Sequence, residues 1–117
     1  MGYRSRGKPI RIIDGDTVVM ELDLGFYTYK RAQLRLLDVD THELDGDNPK
    51  KAIDEKKYVK GWFADHDKEG VDYPFYVYTL KEPDSFGRYL ADIETLDSNS
   101  SLVSDLKDKF KDIEWEG

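Results

Sequence analysis

Alternation of apolar and polar residues predicts short β-strands in the first third of the chain. Residues 9–13 form a β-prone run that ends at the turn-forming sequence Asp-Gly-Asp of residues 14–16. In residues 18–24 every second residue is apolar, which is the pattern of a strand with one buried face. The residues expected on that face are Val18, Met20, Leu22 and Leu24.

The pattern then predicts a bend and a third strand. Gly25 interrupts the run, residues 26–29 continue it in extended form, and residues 30–31 lie at the next turn or edge. Residues 32–40 form the third strand, which is rich in leucine and ends in acidic residues. Residues 41–51 contain Asp-Gly-Asp-Asn-Pro and are expected to form a loop.

Two later segments have the periodicity of amphipathic helices. The first helix is expected to end at Gly70, and Trp62 and Phe63 lie on its apolar stripe and belong to the core. The stripe as a whole consists of Tyr58, Val59, Trp62, Phe63 and His66. The second helix begins after Ser100 or Ser101, either of which suits an N-cap. Its apolar residues are Leu102, Val103, Leu106 and Phe110.

Two β-like runs, residues 73–80 and 89–96, lie between these helices and are joined by a turn at residues 82–87. The predicted order is therefore three strands, a helix, two strands and a helix. Five short strands with a helix between the third and fourth indicate a mainly β fold with α, a five-stranded Greek-key barrel of the OB type. An open α+β sheet is the alternative that the same pattern allows.

Length and composition limit the classes of protein. A chain of 117 residues is expected to form a single domain, residues 1–117. The absence of cysteine excludes a disulfide framework, a thiolate zinc site and a cysteine nucleophile. No apolar run approaches the roughly 18 residues of a membrane span, so a soluble protein without a membrane partner is expected.

Charge is distributed unevenly along the chain. The net charge is −7, yet residues 1–13 carry four basic residues and no acid. A protein that binds nucleic acid through a broad electrostatic surface is usually basic. Contact with a polyanion would therefore depend on a few local cations or on a bound metal.

Three stretches place unusual polar residues at the ends of apolar strands. They are Asp14-Gly-Asp-Thr17, Arg35-Leu-Leu-x-Val-Asp-Thr-x-Glu43 and Phe86-Gly-Arg88. Taken singly, each has an ordinary explanation as a turn or a strand end. Their chemistry becomes specific only when the three are considered together.

Two other motif interpretations of these stretches are not supported by the sequence around them. Residues 14–18 fit the Asp-x-Asp-x-Thr/Val nucleophile motif of haloacid-dehalogenase-like phosphatases, but that chemistry needs a parallel sheet with helical crossovers, and strands follow here. Asp38-x-Asp40 resembles the start of an EF-hand loop. His42 then stands where an oxygen ligand is needed, and no glycine occupies the sixth loop position.

Together the stretches have the composition of a hard-metal phosphodiesterase site. Asp16 and Asp40 offer oxygen ligands of the kind that Ca²⁺ and Mg²⁺ prefer. Arg35 and Arg88 can each hold a phosphate with the fork geometry of a guanidinium. Glu43 is one further acid, close enough in sequence to reach a metal-held water.

In these three stretches the chain resembles the staphylococcal nuclease (thermonuclease) family. The motifs stand in the family's order and at near-family spacing, and the resemblance runs from about residue 10 to residue 96. It implies an OB-fold barrel and an endonuclease that hydrolyses phosphodiester bonds of DNA and/or RNA. The implied cofactor is Ca²⁺, with Mg²⁺ or Mn²⁺ as substitutes, and the implied products carry 5′-hydroxyl and 3′-phosphate ends.

The resemblance also implies a role for each site residue. The implied catalytic residues are Arg35, Glu43 and Arg88, and the implied metal ligands are Asp16, Asp40 and Thr41. The two aspartates would bind Ca²⁺ through their carboxylates, and the threonine through its main-chain carbonyl. The glutamate would act as general base or position the water. The arginines would hold the scissile phosphate and stabilise the charge of the transition state.

The competing function is a non-catalytic OB-fold module that binds single-stranded nucleic acid or a protein tail. Such a module has no need for three acids around two arginines, because unneutralised carboxylates repel phosphate. A monomer is expected. The lack of a signal segment and of cysteine favours a cytoplasmic or phage-encoded intracellular enzyme, and a secreted enzyme whose leader was removed stays open.

The chain departs from the family's pattern at three places. His42 stands where the family usually has Pro, so the loop that enters Glu43 is expected to be less rigid. Phe86 stands where a Tyr often stacks near the nucleotide, and a phenyl ring keeps the stacking without the hydroxyl. The chain ends at Gly117, so the family's long last helix is expected to be absent, and Trp115 receives no role.

The two arginines are expected to differ. Arg35 and Asp40 are five residues apart and would face opposite sides of a straight strand, so a bulge near Asp38 or an Asp40 beyond the strand end is required. Because Arg35 lies within an apolar strand, we expect a fixed guanidinium with a carboxylate partner. Arg88 follows Gly87 at a turn, and we expect it to be the looser of the two.

Overall fold

The structure, a computed structural model, describes residues 2–113. Its elements in chain order are β1 (Gly2–Asp14), β2 (Thr17–Asp23), β3 (Tyr29–Leu36), α1 (Pro49–His66), β4 (Phe75–Pro83), β5 (Tyr89–Thr95) and α2 (Leu102–Lys109). Within residues 2–113, neither helix has the length and apolar character that a membrane crossing requires. Trp115 lies outside the described residues.

The five strands close into a barrel in the order β1-β2-β3-β5-β4. β1 joins the two ends of the sheet, because its residues 2–7 pair with β4 and its residues 6–14 pair with β2. Neighbouring strands are antiparallel except β3 and β5, which are parallel. The prediction of a mainly β fold with α, closed as a five-stranded barrel, is confirmed. The open α+β sheet is wrong, because β1 and β4 pair and leave no free edge.

The barrel interior is built from alternate residues of the strands, as the sequence pattern predicts. Val18 and Met20 of β2 are fully buried, and Phe75 of β4 is buried with them. Trp62 and Phe63 of α1 lie 3% and 4% exposed, as predicted, and their rings contact Phe75 at centroid distances of 5.5 and 5.1 Å. Truncating such a buried aromatic ring to alanine costs about 3–5 kcal/mol.

The β2–β3 hairpin differs from its prediction. Leu24 is 47% exposed rather than buried, because β2 ends at Asp23. Phe26 and Tyr27 form a tight turn with φ of 56° and 58°, not an extended segment. Two left-handed residues match the twist of an antiparallel hairpin, which explains why the chain reverses here. Residues 30–31 consequently lie within β3, paired with β2.

Strand β3 ends earlier in the sequence than the hydrophobic pattern predicts. It ends at Leu36, and Asp38 has a left-handed backbone with φ of 61°. Asp40 therefore lies beyond the strand. Of the two arrangements that the five-residue spacing from Arg35 allows, the structure has the second, an Asp40 past the strand end, and the left-handed Asp38 turns the chain between them.

The remaining boundaries follow local capping chemistry. Asn48 caps α1 by accepting from the Lys51 amide, and α1 ends at His66, ahead of Gly70. Ser101 caps α2 in the same way, which confirms one of the two predicted caps. β1 and β4 extend beyond their predicted runs because they pair with each other along the barrel.

Candidate active site

Asp16 is positioned by the turn between β1 and β2. Asp16 is only 7% exposed, and its backbone carbonyl accepts a 2.8 Å hydrogen bond from the amide of Leu36. Thr17 Oγ1 donates to Oδ1 of Asp16 at 2.9 Å, and the Thr41 amide donates to Oδ2 at 3.0 Å. The carboxylate is therefore fixed by donors from two different segments.

Gly15 lets this turn pack closely against the loop that follows β3. A Cβ at this position would lie 2.9 Å from Thr41 Cγ2 and 3.0 Å from Glu55 Cβ. Both distances are at or below normal contact for carbon atoms, so a side chain here would push the two segments apart. A glycine between Asp14 and Asp16 thus keeps the second carboxylate beside the later loop.

Arg35 lies on β3 opposite Thr17, and its side chain is 13% exposed. Nη1 donates to the carbonyls of Leu36 at 3.0 Å and Val39 at 2.6 Å. Nη2 lies 3.4 Å from Oδ2 of Asp16 and 3.3 Å from Oδ1 of Asp40. The backbone turn after β3 therefore wraps around the guanidinium. The expectation of a fixed arginine with carboxylate partners is confirmed.

The loop after β3 carries the remaining acidic residues. The Asp40 amide donates to the carbonyl of Ile113 at 2.7 Å, while its side chain is 65% exposed. Thr41 is buried, and its Oγ1 is a buried oxygen for which residues 2–113 provide no hydrogen-bond partner. Glu43 is exposed, and its carbonyl accepts from the amide of Gly46.

Glu55 is a structural component of the site that the sequence reasoning missed. It is fully buried on α1, and it accepts from the His42 amide at 2.7 Å. Nδ1 of the His42 ring lies 2.9 Å from its Oε2. Since Thr41 and Glu43 flank His42, this carboxylate fixes the backbone between an implied metal ligand and the implied base. Helical spacing was the signal that could have found it, because Ala52, Glu55, Val59 and Trp62 share the buried face of α1.

Arg88 follows the β4–β5 turn and is bound to a residue of that turn. Its Nε and Nη2 lie 3.0 and 2.9 Å from Oδ2 of Asp84, and its amide donates to Oδ1 of the same carboxylate. The guanidinium lies 5.1 Å from the ring centroid of Phe86, which is 80% exposed. Arg88 is therefore held by an ion pair that the sequence analysis did not predict. Its side chain is 24% exposed against 13% for Arg35, and the expectation that it is the looser of the two stays a prediction. The missed signal was the four-residue spacing of Asp84 and Arg88.

All six residues implied by the three motifs meet in one polar cleft of about 190 Å³. The cleft is lined by Asp14, Asp16, Thr17, Arg35, Asp40, Thr41, Glu43 and Arg88. Burial raises the pKa of Asp14, and the neighbouring carboxylates of Asp16 and Glu43 raise it further. Asp14 therefore lies in a part of the cleft where burial and neighbouring carboxylates disfavour a further negative charge.

The oxygen donors of the cleft have the chemistry that a hard divalent cation prefers. The carboxylates of Asp16 and Asp40 both lie near Nη2 of Arg35 and are therefore close to each other. The buried Oγ1 of Thr41 adds an oxygen without a partner in the described chain. Residues 2–113 contain no cluster of three or more histidine or acidic side chains that could hold a metal. A cation here would therefore complete its six to eight ligands with water, main-chain carbonyl or phosphate oxygens.

No protein-family model and no curated protein matches the chain. What the cleft can do is therefore judged from the chemistry of its own residues. Four carboxylates, two guanidinium groups and two threonines surround one small polar space.

Proposed function

We propose that this protein is a metal-dependent endonuclease of the staphylococcal nuclease type, which hydrolyses phosphodiester bonds of DNA and/or RNA with Ca²⁺. The observation that carries the proposal is the meeting of all six motif residues in one cleft. These residues come from the β1–β2 turn, β3, the loop after β3 and the β4–β5 turn. A purely structural role for each motif gives no reason for such convergence.

The fold assignment that accompanies this proposal is the Greek-key OB barrel. Its support is the strand order β1-β2-β3-β5-β4 with a single parallel pair, β3 and β5. Small five-stranded barrels of this type carry their ligand sites on loops and on one barrel face. The cleft has this kind of position, since turns and loops supply most of its side chains.

The proposed division of labour follows from position and charge. Arg35 and Arg88 hold the scissile phosphate and face the negative charge that develops as a water attacks the phosphorus. Glu43 lines the cleft with an exposed carboxylate, so it is the group placed to orient that water and accept its proton. The bond from phosphorus to the 5′ oxygen breaks, and that oxygen takes a proton from solvent water and leaves as a hydroxyl.

Asp16, Asp40 and the main-chain carbonyl of Thr41 would hold the Ca²⁺. When bound, the ion supplies positive charge to a non-bridging phosphate oxygen. The hydrogen bonds from Thr17 and Thr41 fix the carboxylate of Asp16 before any cation arrives. This fixed position lowers the reorganisation that binding requires.

A cleavage assay tests the proposal. Supercoiled plasmid and a single-stranded RNA are incubated with Ca²⁺, Mg²⁺, Mn²⁺ or EDTA, and we expect cleavage with a metal and none with EDTA. Glu43→Gln should lower kcat by about 10²–10⁴-fold. Glu82→Gln, at an exposed glutamate outside the cleft, is the matched control and should cleave normally.

The same assay decides between the enzyme and the binding module. Equal inactivity under all four conditions would overturn the nuclease proposal. If the inactive protein still bound oligonucleotides, the non-catalytic OB-fold module would be the better description.

A further inference from the structure

A row of cations lies on the outer face of β1. Gly7 points into the barrel, because a Cβ there would contact the side chains of Val77 and Leu22. Since successive residues of a strand alternate between faces, Arg4, Arg6 and Lys8 point outward together. The spacing of alternate residues in a strand is about 6.6–6.8 Å, which gives a regular ladder of positive charge.

Tyrosines are interleaved with these cations. The Arg4 guanidinium lies 4.8 Å from the ring centroid of Tyr76, and that of Arg6 lies 5.9 Å from the same ring. The ammonium of Lys8 lies 5.1 Å from the ring centroid of Tyr73, which stacks on Tyr29 at 5.6 Å. We call these six residues the basic–aromatic face.

The acids next to this face lie on β2 and β5, and Glu21, Asp23 and Asp92 accept hydrogen bonds. Glu21 lies 3.6 Å from both Lys8 and Arg31, and it accepts from the hydroxyl of Tyr73 at 2.8 Å. Asp23, which pairs with Arg6 across the ladder, accepts from the amide of Gly25. Glu94 and Asp92 lie on the next strand, opposite Tyr76 and Tyr78. Asp92 accepts from Ser101 and Val103.

Two guanidinium groups therefore converge on one ring without a carboxylate. Within residues 2–113, neither Arg4 nor Arg6 makes an ion pair with an acid. Arg6 donates to the carbonyl of Tyr73 at 2.8 Å, and Arg4 is exposed. The two like charges lie 4.8 and 5.9 Å from the Tyr76 centroid, and an anion bound beside them would offset both. The feature stands out in a chain whose net charge is −7.

We propose that the basic–aromatic face binds single-stranded nucleic acid outside the cleft, with phosphates on the cations and bases stacked on the tyrosine and guanidinium planes. Repeated cations along a groove and aromatic planes between them are the elements of sequence-tolerant single-strand binding. Unpaired bases are needed because the bases of a duplex already stack on one another. The substrate class rests on the proposed nuclease function, which this face would extend.

The face and the cleft share a strand. Lys8 precedes Asp14 of the cleft by six residues on β1, which corresponds to about 20 Å of strand. A short diester that fills the cleft would not reach the face, whereas a longer single strand could contact both. The face should consequently affect the affinity for long substrates and not the chemical step.

Binding without cleavage tests the proposal directly. The full chain in EDTA is titrated into a fluorescein-labelled 15-nucleotide single strand, and anisotropy gives Kd at several salt concentrations. We expect the double variant Arg4→Gln/Arg6→Gln to bind at least tenfold more weakly, with a salt slope lower by about 1–2. The matched control is Lys57→Gln/Lys60→Gln, which removes two exposed charges from α1 and should weaken binding less than threefold.

Several results would overturn the proposal. They are an equal loss of affinity in both double variants, wild-type binding by the arginine variant, equal affinity for a duplex of the same length, or preferential binding to phosphatidylserine vesicles. Urea unfolding of each variant verifies that the barrel is intact. Because Arg6→Gln loses the hydrogen bond to the Tyr73 carbonyl, we expect a lower midpoint for the arginine variant, with a single transition and a fully folded protein in the absence of urea.

Cleavage kinetics separate this proposal from the nuclease proposal. On the long single strand the arginine variant should raise KM about tenfold at unchanged kcat, and on a dinucleotide it should change neither. If the arginine variant cleaves the long strand with an unaltered KM, the proposal for the basic–aromatic face is wrong and the nuclease proposal stands. An inactive protein that binds the 15-nucleotide strand through Arg4 and Arg6 overturns the nuclease proposal and supports the face.

Discussion

The backbone amide of Thr41 donates a 3.0 Å hydrogen bond to Oδ2 of Asp16, 25 positions earlier in the chain. This bond joins the β1–β2 turn to the loop after β3 and brings two implied metal ligands together. Arg35 holds Asp16 and Asp40 on one nitrogen, so the cleft exists before a cation binds. A preformed cleft lined by four acids and two arginines should be stabilised by a divalent cation.

We therefore expect Ca²⁺ to raise the melting temperature. A ligand of the native state at 100 times its Kd adds about 2.7 kcal/mol to the free energy of unfolding. Asp16→Asn and Asp40→Asn should abolish most of this gain in differential scanning fluorimetry. Asp45→Asn, in the same loop but outside the cleft lining, should keep it. If Asp45→Asn removed as much of the gain, the ion would bind elsewhere in the loop.

The two arginines should respond differently to lysine. Arg35→Lys loses hydrogen bonds to the carbonyls of Leu36 and Val39 as well as the contacts of Nη2 with two carboxylates, so the free energy of unfolding should fall by about 1–3 kcal/mol. Arg88→Lys loses a partly exposed ion pair with Asp84, which is worth about 0–1 kcal/mol.

Turnover should fall by about 10²-fold or more in both variants, because each loses a bidentate donor to the transition state. Urea midpoints and initial rates on one substrate measure both effects. Near-normal turnover in both variants would mean that these arginines have a structural role only.

The buried Glu55 should act on the site through the backbone of His42. Glu55→Gln keeps the size of the side chain but replaces one acceptor of the His42 contacts with an NH₂ donor. We expect it to weaken Ca²⁺ affinity and lower kcat about tenfold, while KM for nucleic acid is nearly unchanged. Ca²⁺ titration and steady-state kinetics test this, with Glu69→Gln at an exposed position as control. If a folded Glu55→Gln protein had unchanged Ca²⁺ affinity, Glu55 would have no role in positioning the site and would contribute only to packing.

Ionisation of Tyr73 should lower the free energy of unfolding at high pH. Burial and the hydrogen bond to Glu21 raise its pKa to about 12, so the native state keeps a proton that the unfolded chain loses near pH 10. The contribution of this proton to stability is complete below pH 10 and is lost as the pH rises towards 12. Tyr73→Phe removes the phenol, so its urea midpoint should fall less than that of the wild type between pH 9 and pH 11. Parallel decreases in the two proteins would contradict this assignment.

Much of the barrel could be predicted because its strands follow period two. Val18, Met20 and Leu22 alternate as a half-buried strand should, and all three are buried. The hairpin after them could not be predicted from hydrophobicity, because Phe26 and Tyr27 are aromatic residues in a left-handed turn that favours glycine and asparagine. Turn geometry here prevails over local preference because the strands on both sides pair.

The sequence predicts which residues form the candidate site, but not the hydrogen bonds that hold them in place. The motifs identify Asp16, Arg35 and Asp40, but the carbonyls that fix the guanidinium depend on the backbone turn at Asp38. Glu55 was missed because a buried acid on a helix has no motif of its own. Such a contact becomes visible only when the helix and the loop are placed together.

Metal-dependent cleavage with analysis of the product ends is the most direct test of the central claim. A single-stranded substrate is digested by the wild type and by Glu43→Gln, with Ca²⁺ or with EDTA, and the ends are identified by selective labelling. The proposed mechanism predicts 5′-hydroxyl and 3′-phosphate ends, produced by the wild type only with Ca²⁺ and at least 10²-fold more slowly by Glu43→Gln. Cleavage that persists in EDTA, or that Glu43→Gln carries out at the wild-type rate, would contradict a metal-dependent nuclease centred on this cleft.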